Sequence, residues 1–306
     1  MNQYTEHYSV LKKECLFHLT NELDTNDEHL FVDGTFGAGG HSFALLEQCP
    51  NATVIAFDSD PDAIKNGIIQ AKQRKVEARL QLIHSNFVNF STKISSGRKI
   101  SGVLLDLGIS THHLADTKRG ITFRGDGPLD MRMNYEDDSL STAADLVNNC
   151  EAERLVEILT NYGEERLAKR IVNNIVTARQ KIPITTAAQL EEIVFCSYPA
   201  KQRHGRTHPA TRTFQALRIA VNRELEVLEN VLPDLFTQII PGGKIAVISF
   251  HSLEDRIVKH TFKRIQKENP EGWKIITKRP ITPSTEELKE NSKSRSAKLR
   301  VIQRLQ

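Results

Sequence analysis

The sequence predicts an α/β fold: a doubly wound, mostly parallel sheet, with one helical domain inserted into it. Three observations carry that expectation. Short apolar runs alternate with helix-length segments up to about residue 110, the alternation lapses between about 115 and 211, and it resumes before residue 250. Strands separated by helices pair in parallel, because each crossover needs a helix to bring the chain back to the same edge.

Each element has its own local signal. Leu30–Asp33 is an apolar run that ends in an acid and a glycine-rich loop, followed by a helical stretch from His41 to Glu47. Ala52–Phe57 reads as a second strand leading to Asp58, and Pro61–Lys75 as a helix with proline in its first turn, where a missing N–H costs nothing. Leu80–His84 and Gly102–Asp106 give two further strands. The pattern then changes. Arg119–Pro128 is a glycine-rich loop carrying both signs of charge, and apolar stripes at Leu155, Ile158, Leu159, Tyr162 and at Leu167, Ile171, Ile175 have helical spacing. Ala187–Val194 gives a third short helix, and Tyr198–Pro209 a basic loop containing histidines. Phe214, Leu217, Val221, Leu225, Leu228, Leu232 and Leu235 keep one helical period, Pro241-Gly242-Gly243 reads as a turn, and Lys244–Phe250 as a strand. The expected organisation is a discontinuous domain of residues 1–114 and 212–306, with 115–211 inserted as a helical substrate-recognition domain.

Composition excludes several classes. At 306 residues, with 39% hydrophobic and 26% charged residues, the chain has the make-up of an ordinary globular protein. No apolar run approaches the roughly 18–20 residues of a membrane span. The first residues have neither a basic n-region nor an apolar h-region, so a cytoplasmic location is expected. Cys15, Cys49, Cys150 and Cys196 lie far apart with no C-x-x-C pair, which signals neither a metal site nor a disulfide framework. Charge is uneven: residues 256–306 carry 14 Lys+Arg against 5 Asp+Glu, and the remainder 27 against 33. A basic end on an acidic body points to a polyanionic partner, with Lys289–Arg304 as the expected phosphate contacts.

The strongest local signal is Asp33-Gly34-Thr35-Phe36-Gly37-Ala38-Gly39-Gly40-His41, between a strand and a helix. Glycines there let the backbone approach a ligand and leave N–H groups free at the helix start. The glycine order differs from the G-x-G-x-x-G of dinucleotide sites, and Asp33 would face a pyrophosphate unfavourably. An acid suits a ligand with a cationic amino group, such as S-adenosylmethionine. Asp58 ends the next strand, where a carboxylate can accept hydrogen bonds from both ribose hydroxyls of an adenosine. Asn86-Phe87 follows the third strand with an aromatic face for an adenine, and Asp106 ends the fourth beside the crevice where open α/β sheets bind ligands.

The sequence resembles the bacterial ribosomal RNA small subunit methyltransferase H family, also called MraW. The likeness rests on His7-Tyr-Ser-Val-Leu11, Asp33 to Ser42, Leu104-Leu-Asp-Leu-Gly108, Gly127-Pro-Leu-Asp-Met-Arg-Met133, Tyr162-Gly-Glu-Glu-Arg166, His208 to Arg218, Ser249 to Arg256 and Arg295-Ser-Ala-Lys-Leu-Arg300. It implies a class I, Rossmann-like fold that transfers a methyl group from S-adenosyl-L-methionine to N4 of a cytosine in the decoding region of 16S rRNA. The implied partner is 16S rRNA within the small subunit or its precursor, and a homodimer is left open. The resemblance assigns cofactor contacts to Gly39, Gly40, His41, Asp58, Phe87, Asp106 and His113. The last is a departure: where the family reads Ser-Ser-Pro-Gln, this chain has Ser110-Thr111-His112-His113, which weakens the position. Gly120-Ile-Thr-Phe123 also departs from the family's Gly-Phe-Ser-Phe.

A cytosine N4 lone pair is conjugated into the ring, so the amine needs orientation and an acceptor for its N–H. Asp106 is a candidate for that acceptor, for a cofactor contact, or for both. Phe250 and His251, at the end of the Lys244–Phe250 strand, are candidates to stack on a flipped-out cytosine and bond its edge. Arg124, Arg132, Arg212 and Arg218 are candidate phosphate contacts. Competing readings are a nicotinamide-dependent dehydrogenase, disfavoured by glycine order, and a non-catalytic ribosome-assembly factor.

Overall fold

The computed structural model describes residues 9–94, 97–123, 125–205 and 207–306. Arg124, and His7 and Tyr8 of the first motif, lie outside the described residues. The chain divides into two compact units, residues 1–110 with 225–306, and Thr111–Glu224.

The first unit is built on a seven-stranded sheet in the order β3-β2-β1-β4-β5-β7-β6. Its strands are β1 (Leu30–Asp33), β2 (Thr53–Asp58), β3 (Leu80–His84), β4 (Ile100–Asp106), β5 (Ile239–Ser249), β6 (Trp273–Ile275) and β7 (Lys298–Arg304). β1 to β5 are parallel, and β7 is antiparallel to both β5 and β6. After β1 the chain winds outward through β2 to β3, then returns to lay β4 on the other side of β1. Strand order therefore reverses between β1 and β4, and such a reversal opens a crevice at the carboxyl ends of the strands.

Alternate residues supply the two faces of the sheet, as the two-residue period of a strand requires. Phe31, Val54, Leu104 and Ile248 pack on one side with Leu45 and Leu46 of the helix Gly40–Gln48. Val32, Ile55, Val103 and Val247 pack on the other, with Leu228 and Leu232 of the helix Glu224–Gln238 and Phe262 of the helix Ser252–Glu268. Both faces are covered, which is why these strands read as nearly continuous apolar runs.

Three expectations about this unit change. Pro241-Gly242-Gly243 is not a turn before a strand but lies within β5, where the pairing to β4 shifts register between Ile100 and Gly102 and lets the extra residues pass. The helical period from Phe214 to Leu235 covers two helices, Ala210–Asn222 and Glu224–Gln238, because Arg223 is left-handed at φ 52°. The basic end is not a tail: its last segment is β7, an interior strand. Arg300 Nε donates to Asp255 Oδ1 at 2.7 Å, Lys298 Nζ lies 3.3 Å from Oδ2, and Arg304 bonds the carbonyl of Ile239. Three of the charges expected on RNA phosphates are thus bonded inside the protein.

In the second unit the helices Ala152–Gly163 and Ala168–Arg179 bury the expected stripes, with Leu155, Leu159 and Ile171 all 0% exposed. Ala187–Ser197 starts at a capping box of Thr186 and Gln189. The helix Ala210–Asn222 packs against Ala152–Gly163, so the inserted unit runs past residue 211. Asn222 ends that helix by donating to the carbonyls of Met131 and Arg218 while accepting from the Met133 N–H. Among the described residues no helix is long and apolar enough to cross a membrane.

Burial opposes ionisation of Asp255, but the hydrogen bond and charge of Arg300 and the charge of Lys298 outweigh it and hold the carboxyl below its ordinary value. A depressed folded-state value gives stability that is present above the unfolded value near 4 and lost as pH falls through the folded one. Asp255→Asn should cost about 1.5–3 kcal/mol at pH 7. Urea titrations at pH 7 and at pH 3 should show the gap between variant and wild type closing in acid.

Candidate active site

The glycine-rich turn sits at the carboxyl end of β1, inside the crevice. Gly34 N–H donates to Leu104 O of β4 at 2.9 Å, and Asp106 N–H donates to Thr35 Oγ1 at 2.6 Å, so the turn is tied across the strand reversal. Gly37 N–H donates to Asp58 Oδ2 at 2.7 Å, while Asp58 Oδ1 accepts from Asp60 N–H at 2.8 Å. The acid ending β2 therefore fixes both its own loop and the loop after β1. Asp33 is 1% exposed, accepting from Thr35 N–H at 3.0 Å and from the Ser42 hydroxyl at 2.6 Å. Burial pushes its carboxyl above the ordinary range, and the Ser42 hydroxyl and nearby His41 only partly offset this. Both Asp33 oxygens hold the turn from within, a structural duty the sequence did not suggest.

The turn passes into the helix Gly40–Gln48 through Gly39, left-handed at φ 78°. Gly40 is a close-approach glycine, since a Cβ there would stand 1.9 Å from Ser9 Oγ. Ser9 is held by a contact from the far end of the chain. Leu11 N–H donates to Glu287 Oε1 at 2.9 Å across 276 positions, and Leu11, 0% exposed, takes a left-handed φ of 51° to start its helix. Burial raises the Glu287 carboxyl and the Leu11 N–H only partly counters it. Glu287 carries no sequence signal, because its partner is remote in the chain; Ser9 lies in the His7–Leu11 motif, but nothing in the sequence shows that it faces Gly40.

His41 and Asp106 meet on this edge. His41 is 5% exposed, and its Nε2 lies 3.5 Å from Asp106 Oδ2. Both His41 ring nitrogens and Asp106 Oδ1 are buried without a hydrogen-bond partner. Buried polar atoms are almost always satisfied, so three orphans together mark where a polar ligand completes the site. Phe87 begins a short 3₁₀ turn after β3, and its Cβ lies 3.3 Å from where a Gly34 Cβ would be. The structure thus brings Gly39, Gly40, His41, Asp58, Phe87 and Asp106 to one sheet edge. The donor set fits S-adenosylmethionine: a glycine cradle, carboxylates for hydroxyls and a cationic group, and an aromatic face. His113 is 6% exposed on the short helix Thr111–Ala115 of the second unit.

Phe250 follows β5 and is half-buried. Its ring lies 3.3 Å from where a Gly108 Cβ would stand, and Gly108 has φ 95°, so a side chain there would be strained as well as crowded. His251 has a second duty: it caps the helix Ser252–Glu268, its Nδ1 accepting from Glu254 N–H at 3.3 Å. The ring proton then sits on Nε2, 3.1 Å from Glu254 Oε1 but poorly angled for a hydrogen bond. Of the arginines, Arg132 is bidentate to Asp130 at 2.9 and 2.8 Å and Arg218 to Glu224 at 2.8 and 2.9 Å, which spends their forks inside the protein. Arg212 is exposed and donates to Glu164 O at 3.0 Å.

Residues 4–305 match the MraW methylase family. The ribosomal RNA small subunit methyltransferase H of Synechococcus sp. (strain JA-2-3B'a(2-13)) is 45% identical over 312 residues, 98% of this chain and 92% of its own. The protein of that name from Persephonella marina is 44% identical over 302 residues, 98% of this chain and 99% of its own. That from Coxiella burnetii (strain CbuG_Q212) is 43% identical over 291 residues, 90% and 92% respectively.

Gly40→Ala should weaken S-adenosylmethionine binding by ten-fold or more, an order-of-magnitude figure for displacing the Ser9 segment from the turn. Adding Ser9→Gly should restore part of the loss, since it removes the atoms that the new methyl strikes. Calorimetry on the four proteins of this cycle measures the coupling, and strict additivity would mean that Ser9 does not set the turn.

Proposed function

Because the chain belongs to the MraW methylase family and is an S-adenosylmethionine-dependent methyltransferase, we propose that its substrate is small-subunit ribosomal RNA and its target the N4 amine of one cytosine in the 16S decoding region. The observation that carries the chemistry is the meeting of His41 and Asp106 at the strand reversal, where both ring nitrogens and Asp106 Oδ1 are buried without a hydrogen-bond partner. The substrate class is supported by relatives named for the small subunit, and the N4 target rests on the resemblance alone.

S-adenosylmethionine supplies a methyl group on a sulfonium, an electrophile that needs no acid to leave. The protein's own task is to hold that donor and to ready the amine. Gly39, Gly40 and His41 form the cradle, Asp58 accepts from ribose hydroxyls, Phe87 covers the adenine, and His113 is carried over as a further contact. Asp106 Oδ1 accepts a hydrogen bond from the N4 amine, drawing N–H electron density back onto nitrogen and so restoring nucleophilic character. A base must leave its stack to reach this edge, and the Phe250 ring offsets the unstacking. His251 keeps the helix start, and with it Phe250, in place: Phe250 N–H and His251 N–H both donate to Glu254 Oε2, at 2.8 and 3.3 Å.

Mass mapping of methylated nucleosides in small-subunit rRNA, with and without this protein, tests the substrate and the atom together. Methylation at N4 of a single cytosine is expected. A 5-methyl product, or methylation confined to large-subunit RNA, would overturn the reading. Phe250→Ala should lower single-turnover methyl transfer by about one to two orders of magnitude while cofactor affinity persists, stacking being worth about 1–3 kcal/mol per base. Asp106→Asn should slow transfer more steeply, because an amide presents one acceptor oxygen without charge.

A further inference from the structure

A column of rings in the helical unit has no part in the site above. Phe123 and His208 stack with centroids 4.5 Å apart and planes at 17°. His208 and Phe195 continue the column at 6.0 Å and 21°. Phe214, 4% exposed, closes the inner end edge-on to Phe123 at 5.5 Å. The other end reaches the surface. Phe195 is only half-buried, His204 is exposed and meets Phe195 edge-on at 5.8 Å, and the Arg203 guanidinium carbon stands 5.3 Å from the Phe195 centroid.

The column is held rather than loosely packed. His208 Nδ1 accepts from Ala210 N–H at 3.3 Å, which leaves its proton on Nε2, 3.3 Å from Glu191 Oε1. Arg203 donates to the carbonyls of Tyr198 at 2.9 Å and Cys196 at 3.1 Å, so its fork is held by backbone groups. Between Glu192 and Glu224 the sequence has no acidic residue, and Lys201 and Arg212 are exposed on the same stretch. A purely apolar cluster would bury its outer rings and need no cation at the end. Rings stacked in line that reach the surface beneath a fixed guanidinium, followed by a stretch with basic residues and no acid before Glu224, match the chemistry that holds unpaired nucleotides: base on ring, phosphate on cation.

We infer that the outer end of the Phe123–His208–Phe195 column, with Arg203 and His204, is a stacking surface for an unpaired base of single-stranded RNA. The inference rests on the reading that the substrate is RNA, and adds a second place where that RNA is gripped. Stacking and charge separate experimentally, since stacking contributes affinity without counterion release and a phosphate contact contributes both.

The experiment is fluorescence anisotropy with an unstructured RNA of about 12 nucleotides, titrated over a range of salt. Wild type is compared with Phe195→Leu, which keeps apolar volume but removes the ring, His204→Ala and Arg203→Gln. Phe195→Leu and His204→Ala should each weaken binding about five- to ten-fold at unchanged salt slope, and Arg203→Gln should lower the slope by about 0.7. The KM for small subunits should rise by similar factors. Thermal melts and S-adenosylmethionine affinity check folding; if Phe195→Leu fails there, the exposed His204→Ala decides. Wild-type RNA affinity in folded His204→Ala and Phe195→Leu removes the stacking surface and leaves the RNA reading intact. Failure of wild type to bind the RNA and to methylate small subunits removes both.

Discussion

The 2.6 Å hydrogen bond from Asp106 N–H to Thr35 Oγ1 spans the place where the sheet reverses its winding. β1 and β4 are hydrogen-bonded neighbours, but the chain leaves them toward opposite sides, so their carboxyl ends separate and backbone groups lose strand partners. Once that bond fixes the turn, the rest follows by geometry. Asp58 takes the Gly37 N–H, Asp33 takes the Ser42 hydroxyl, and His41 arrives within 3.5 Å of Asp106. The acids that end three parallel strands share one edge because the strands share one direction.

This division between framework and function has an energetic side. Asp33 is buried at a cost to its ionised form, yet both its oxygens are satisfied. Asp106 keeps one oxygen and His41 two nitrogens without partners. Unsatisfied polar groups are destabilising, so the molecule concentrates that penalty at the few atoms meant to meet a ligand and spends hydrogen bonds freely on everything that aims them.

Much of this was readable in the sequence because the signals are local. An apolar run closing on an acid, then glycines, then a helix gives β1, the turn and Asp33 within a dozen residues, and the same grammar gives Asp58 and Asp106. What was not readable is what depends on distant partners. The Phe214–Leu235 period runs unbroken through Arg223, so no hydrophobic pattern marks the break between two helices. The basic residues of β7 read as phosphate contacts because basic and apolar residues alternate equally in a solvated segment; only Asp255, on the helix Ser252–Glu268, pairs the buried Arg300 and the part-exposed Lys298 within the protein. Histidine is an unusual helix cap, so the bond from Glu254 N–H to His251 gave no advance sign. Glu287 was invisible for the same reason.

The bond between Leu11 and Glu287 also has a meaning in time. A chain made from its amino end forms β1 and the glycine turn early, but the clamp on the segment that presses against Gly40 is 276 residues away. β7, too, is synthesised after β6 yet must enter the sheet between β5 and β6. Long-range closures of this kind are slow steps in folding. A nascent chain still short of these residues has its strand ends and its glycines, but not the Leu11–Glu287 bond. The segment beside the glycine turn is therefore clamped only once residue 287 has been made.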